Sequence, residues 1–360
     1  MSSAPSAGVA FAAALAEAFE AAVRRVGVRE ERLRVAGASI LLRFAGNAAR
    51  SRLIPAFASR LETVATRAAA APAPADVDAT IDVFDTDSSG VAPPPPPGDV
   101  SDVRERGEFR GVDDEATRVA YNIGSGILNV FDRASCRGVW WTRDARLVPY
   151  YETASPLRTL LTWVLEERGV RVVHAACVAE AGVGVLLTAK GGSGKSTTAL
   201  LCRTAGLGYL GDNNVAVSVA PVPTAHALFD SASLRRDNRV RVEGFAARVV
   251  NPDRSDEKAL AFVVEGAAPG PASCRLRAIL LPRVAGASRP TLRPVSAAEA
   301  LRALAPSSLF VQPGAGPDAF AAAARLVRSL PAYVLDLADD PAAVIAAVRS
   351  ALTGAVGTSR

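Results

Sequence analysis

Residues Ala189 to Thr197 read AKGGSGKST and hold two of the three lysines in a chain of 360 residues that carries 41 Lys and Arg. A loop that turns several backbone N–H groups toward one anion needs unusual backbone angles and no Cβ in the way. Gly191, Gly192 and Gly194 supply both, with Lys190 and Ser193 between and beside them. The helix expected from Lys195 adds the positive end of its dipole at the same point. Lys195 itself brings a compact charge to the β- and γ-phosphates of a nucleotide. The Ser196 hydroxyl can reach Mg²⁺, and Thr197 completes the binding set. The planar fork of arginine is too bulky for a lysine that the loop wraps around, which explains why lysine survives here. The expected ligands are ATP and Mg²⁺. Ala189 stands where the motif G-x-x-x-x-G-K-[ST] has its first glycine, so one tight turn must be made with a Cβ present.

A magnesium ion held by one hydroxyl and phosphate oxygens needs a carboxylate nearby. The short strand "YLG" ends at once in Asp212, beside the loop at the carboxyl edge where ligands of open α/β sheets collect. Asp212 is the candidate metal ligand; a solvated loop aspartate is the bland alternative. Lys258, the third lysine, is a further candidate by the same scarcity, and Arg283 in "LPRV" could approach the phosphates from a later strand.

The elements that must position these residues alternate between strand and helix from Val170 onward. "VRVVHAACV" and "VGVLLTA" read as a hairpin turned by "AEAG", followed by the Gly-rich loop and the helix "KSTTALLCRTAG". Further strands are expected near Leu260–Val264, Arg277–Leu281 and "AYVLDL", with helices near Ala297–Leu304, Pro317–Leu330 and from Pro341. Upstream lie an Ala-rich helix, a strand near Leu33–Phe44, a helix near Ala48–Arg67 and a strand near Asp78–Phe84. The five prolines of "VAPPPPPGDV" favour a stiff polyproline II spacer that divides this portion from the rest.

Composition excludes several classes. Net charge is +5, with 49% hydrophobic and 21% charged residues, the balance of a soluble globular protein. The apolar N-terminus carries Glu17 and Glu20 and reads as a helix, neither a signal peptide nor a membrane span. The Arg-rich "SLRRDNRVRVEG" reads as a solvated surface or a phosphate-facing loop. No aromatic residues interleave with it, which leaves nucleic acid a minor option. Four scattered cysteines without CxxC spacing suit small buried hydrophobes in a reducing, cytoplasmic setting.

Taken in order, a His in a strand, a hairpin into the loop, GSGKS, and an Asp on the next strand resemble the HPr kinase/phosphorylase family and its HPr-kinase-like relatives. The likeness covers roughly Ser155 to Leu352. It implies an α/β fold: a P-loop nucleotide-binding domain of the HPr kinase/phosphoenolpyruvate carboxykinase type, with a smaller α+β N-terminal region. The expected division is residues 1–90, a linker at 91–100, a β-rich segment at 101–154 and the kinase-like domain at 155–354. The resemblance places His174 near the transferred phosphate, Lys195 and Ser196 on phosphate and Mg²⁺, and Asp212 as the first of two adjacent aspartates serving metal and base. Two positions depart from the pattern. Asn213 replaces the second aspartate, and Thr197 replaces an acidic residue.

The expectation is an ATP-dependent kinase whose acceptor is a hydroxyl of a protein, a peptide or a small metabolite. The alternative is a catalytically impaired ATP-binding sensor or regulatory module, which Asn213 and Ala189 favour. A carboxykinase-like reaction would need more metal ligands than His174 and His226 offer. Whether the chain forms a homo-oligomer stays open.

Overall fold

The computed structural model describes residues 6–62, 77–98, 103–104, 106–109, 111–242, 245, 249–254, 258–263, 270–309, 313 and 317–355. The chain divides into two compact units, the first running to Arg168 and taking in Pro313, the second formed by the rest.

The first unit opens on α1 (Ala7–Val26), capped by the Ser6 side chain, which accepts from the Val9 amide at 3.3 Å. Phe11, Leu15, Phe19 and Ala22 recur on one face and are buried. β1 (Val28–Val35) and β2 (Ala38–Ala45) form an antiparallel hairpin. The single strand expected near Leu33–Phe44 is thus two, because Ala36 and Gly37 take φ of 49° and 79° and turn the chain back. α2 (Ala48–Leu53) passes into one turn of 3-10 helix at Ile54–Phe57, and residues 63–67 of the longer helix expected there lie outside the described residues.

β3 (Ala79–Asp85) and α3 (Thr86–Ser89) precede the proline stretch; β4 (Thr117–Asn122), β5 (Ile127–Asp132) and β6 (Arg137–Thr142) follow it. The six strands form one sheet in the order β1-β2-β3-β6-β5-β4, with β3 parallel to both β2 and β6. This corrects the expected division at 91–100. The proline stretch, of which 99 and 100 lie outside the described residues, joins two halves of one sheet. α4 (Tyr150–Ala154) and α5 (Arg158–Glu166) close the unit, so its boundary falls at Arg168, beyond the expected 154.

The second unit holds β7 (Val170–Val173), β8 (Ala176–Glu180), β9 (Val183–Leu187), α6 (Lys195–Thr204), β10 (Gly208–Gly211), β11 (Val215–Ser218) and β12 (Thr224–His226). It continues with β13 (Ser231–Leu234), β14 (Ala259–Phe262), β15 (Ser273–Ala287), β16 (Thr291–Val295), α7 (Ala297–Leu309), α8 (Pro317–Ser329), β17 (Ala332–Ala338) and α9 (Pro341–Thr353). Val264, at the end of one expected strand, lies outside the described residues. The main sheet runs β10-β8-β9-β15-β12-β11-β7, with β17 beside β15 and β16 beside β17. β9, β15 and β17 are mutually parallel, while β13 and β14 pair as a separate antiparallel ribbon.

Alternation along the central strands builds a core on each face. Val185, Leu187, Ala278 and Leu280 point to one side, where Ala199, Leu200 and Cys202 of α6 and Val348 and Leu352 of α9 cover them. Leu186, Ile279 and Leu281 point to the other, against Leu304 of α7 and Leu326 of α8. Each fully buried leucine or isoleucine contributes about 1.5–3 kcal/mol. Both faces are covered, so the strands read as apolar runs. The run expected as one strand at "VRVVHAACV" breaks at His174–Ala175: β7 pairs with β11, whereas β8 pairs with β9 and β10. Cys177, Cys202 and Cys274 are buried and all four cysteines are free. No helix among the described residues is long and apolar enough to cross a membrane.

Candidate functional site

The Gly-rich loop leaves the sheet where β9 ends. The Thr188 amide donates to the Leu280 carbonyl of β15 at 3.0 Å, so the loop's entry is tied to the sheet's centre. Gly192 and Gly194 have φ of 81° and 98°, which an L side chain rarely adopts. At Gly194 a Cβ would also run into Leu337 Cδ1, so glycine is favoured there for two reasons. Ala189 has no left-handed backbone, and its methyl is accommodated where the motif's first glycine would stand.

Lys195 is buried. Its Nζ donates to the carbonyls of Ala189 at 2.5 Å and Lys190 at 3.3 Å, closing the loop on itself. Burial pulls its pKa below the ordinary lysine value, and the charge of Asp212 opposes that shift. Ser193 Oγ is buried without a hydrogen-bond partner among the described residues, an unused donor in the Gly-rich loop.

Asp212 follows β10 and is 2% exposed. Its carboxylate accepts from the Asn213 amide at 2.9 Å, from Asn213 Nδ2 at 3.3 Å and from the Ser196 hydroxyl. Burial pushes its pKa up, while the Ser196 bond and the charges of Lys195 and Lys258 pull the other way. Asn213 adopts φ of 67°, a conformation that asparagine tolerates better than most residues. From there its Nδ2 also donates to Ser233 Oγ on β13 at 3.0 Å.

The loop from Gly191 onward and Asn213 border one cavity of about 750 Å³ inside the second unit. Its lining includes His174, Gly191 to Thr197, Asn213 and Lys258. It sits at the carboxyl ends of the parallel strands β9 and β17, the position favoured for ligands in such sheets. His174 stands in the break between β7 and β8, its amide donating to Ser308 Oγ at 2.9 Å. Lys190 belongs to the loop but not to the lining, and Asp212 lies behind Ser196 and Asn213, which do line it. Arg283 does not line the cavity; it pairs with Asp336 at 2.6 Å on an exposed face.

Two sets of lining residues were not singled out as a site by sequence reasoning. Leu201, Val284, Leu337, Pro341 and Val344 form an apolar flank, and nothing in their local pattern separates them from core residues. Ser233, Leu234, Arg235 and Asn238 form part of another flank; the Arg-rich composition of that segment was the available signal.

The donor set suits Mg²⁺. Ser196 and Asp212 offer hard oxygens already hydrogen-bonded to each other, and no cluster of three or more His, Cys, Asp or Glu among the described residues competes for another metal. No family model and no curated protein matches the chain. Among solved structures, the HPr(Ser) kinase/phosphatase from Coxiella burnetii matches over 52% of this chain and 99% of its own, at 10% identity and a TM-score of 0.29. That is a distant likeness.

Proposed function

We propose that the second unit binds ATP with Mg²⁺ and transfers the γ-phosphoryl group to a hydroxyl. The observation that carries this is the meeting, at one cavity, of the positive-φ loop around buried Lys195 with the buried carboxylate of Asp212, joined through Ser196. Loop amides, the Ser193 hydroxyl and Lys195 would receive phosphate oxygens. When bound, Mg²⁺ would neutralise phosphate charge, and Ser196 and Asp212 would hold it.

The acceptor oxygen attacks the γ-phosphorus and forms a new P–O bond. The bridging bond to the β-phosphate breaks, its electron pair leaves with ADP, and Asp212 takes the acceptor's proton. A base with a raised pKa suits that task near neutral pH. Lys195 and the amides stabilise charge on the transferring group, and His174 lines the same space. The second reading, an ATP-holding sensor, draws on Asn213: a neutral amide takes up Asp212's second oxygen, leaving one carboxylate for metal and base together.

The deciding experiment measures transfer from radiolabelled ATP to serine peptides and small hydroxyl compounds. Asp212→Asn should bind ATP yet lose about 10²- to 10⁴-fold in rate. Equal rates in wild type and Asp212→Asn would refute the assignment of the base, and a wild type that binds ATP but transfers to nothing favours the sensor.

A further inference from the structure

The cavity's flanks differ in character. Val284, Leu337, Pro341 and Val344 line it with apolar groups, while Ser233 of β13, Arg235, Asn238 and Lys258, which directly precedes β14, line it with polar and basic ones. The basic side adjoins the acid–base group, because Asn213 Nδ2 links Asp212 Oδ2 to Ser233 Oγ of β13. An acceptor whose hydroxyl is to reach Asp212 therefore lies along this side.

The antiparallel register of the ribbon pairs Leu234 with Ala259, which sets Arg235 and Lys258 next to each other across the two strands. Both are exposed and both line the cavity. Like charges across a strand pair cost stability unless an anion lies between them. Among the described residues Arg235 pairs only loosely, with its near neighbour Asp237, 3.4 Å apart with both side chains about two-thirds exposed (64% and 65%) and screened by solvent. Arg236 points elsewhere: it donates to the carbonyls of Asn251 at 2.7 Å and Arg254 at 2.5 Å and so anchors the segment. Asn238, one turn on, adds an amide to the same flank. Among the described residues that line the cavity the one carboxylate is Asp339, beside Leu337 and Pro341 on the other flank.

We infer that the phosphoryl acceptor is an anion, carrying a carboxylate or phosphate group close to its hydroxyl, which Arg235, Asn238 and Lys258 hold while the hydroxyl faces Asp212. This rests on the phosphoryl-transfer reading above. Lys258, whose charge is felt by both Lys195 and Asp212, stands between the nucleotide's phosphates and the acceptor's anion; Arg235 serves the acceptor.

The test measures binding, so it does not require turnover. The full-length protein is saturated with Mg²⁺ and a non-hydrolysable ATP analogue, whose own binding is recorded by calorimetry. Two fluorescent heptapeptides with one central serine are then titrated, one flanked by glutamates and one by lysines. The acidic peptide should bind tighter by about tenfold or more, and Arg235→Glu should abolish or invert that ratio, with Asn238→Ala reducing it. Displacement of the acidic peptide by a small phosphorylated hydroxy acid would assign a metabolite as the source of the anion; failure of that displacement assigns a peptide. Equal affinities of the two peptides for the nucleotide-loaded protein, or a ratio unmoved by Arg235→Glu, would overturn the inference alone. Loss of nucleotide affinity in Arg235→Glu with an unchanged peptide ratio would reassign Arg235 to the phosphates. A wild type that binds no nucleotide would overturn the phosphoryl-transfer reading and this inference with it.

Discussion

Asn213→Asp places a second carboxylate against a buried first one, and its cost can be worked from the structure. Asn213 Nδ2 stands 3.3 Å from Asp212 Oδ2. Two unit charges at that separation repel by roughly 5 kcal/mol at an effective dielectric constant of about 20. The folded protein can avoid this by keeping one proton on the pair. Relative to an unfolded aspartate of pKa about 3.9, holding that proton costs about 4 kcal/mol at pH 7 and about 1.5 kcal/mol at pH 5. Protonation therefore caps the penalty, and the raised starting pKa of Asp212 means part of that cost is already present in the wild type. The expected destabilisation is about 2–4 kcal/mol near pH 7 and less than about 1.5 kcal/mol at pH 5. The sign follows from a folded pKa raised above the unfolded one: the native state retains a proton that the unfolded chain has released, so stability falls as pH rises above about 4. Denaturant unfolding of wild type and Asn213→Asp at the two pH values measures the difference directly. Added Mg²⁺ should recover part of the loss at neutral pH, because a divalent cation between the carboxylates removes the repulsion. A variant equally destabilised at both pH values, or unaffected at pH 7, would refute the argument.

Gly194→Ala should cost about 1.5–3.5 kcal/mol, combining left-handed strain with the rotamer shift forced on Leu337, whereas Gly192→Ala, at φ of 81° with nothing within 4 Å of its Cβ, should cost only the strain, about 1–2 kcal/mol; thermal unfolding of both variants checks the order. His226, half-buried on β12 with its Nε2 3.2 Å from Ser218 Oγ, has its pKa drawn below the usual 6.5 by partial burial. The native state then resists a proton that the unfolded chain accepts, so stability should decline as pH falls below about 6.5, and His226→Gln should flatten that decline in unfolding curves.

The local chemistry of the second unit was legible in the sequence because each piece has a short-range signature. Glycines before Lys195, the apolar runs of β8 and β9, and the Ala181–Gly182 turn between them all act within a few residues. Non-local pairing was not legible. β3 lies parallel to β6, more than fifty positions away, and no local pattern announces that the proline stretch between them spans one sheet. β15 runs fifteen residues and passes through Pro282, although the strand was expected to stop at Leu281; pairing with β9 ends at Leu280, so the N–H that Pro282 lacks is not needed there, and β17 stays paired beyond it. His174 was expected within a strand; the chain instead breaks there, since β7 and β8 leave for different neighbours. Arg283 lines up with Asp336 by strand register, a partner that spacing along the chain cannot show. The basic flank at Arg235 depended on the pairing of β13 with β14, again a register and not a motif.

The central claim is that the Gly191–Thr197 loop holds the phosphates of ATP around Lys195, and calorimetric titration of Mg²⁺–ATP into wild type and Lys195→Ala tests it most directly. Among the described residues Lys195 donates only to loop carbonyls, so its truncation should leave global unfolding close to that of the wild type while saturable ATP binding disappears. A folded Lys195→Ala that binds ATP as tightly as the wild type, or a wild type with no saturable heat of binding, would contradict it.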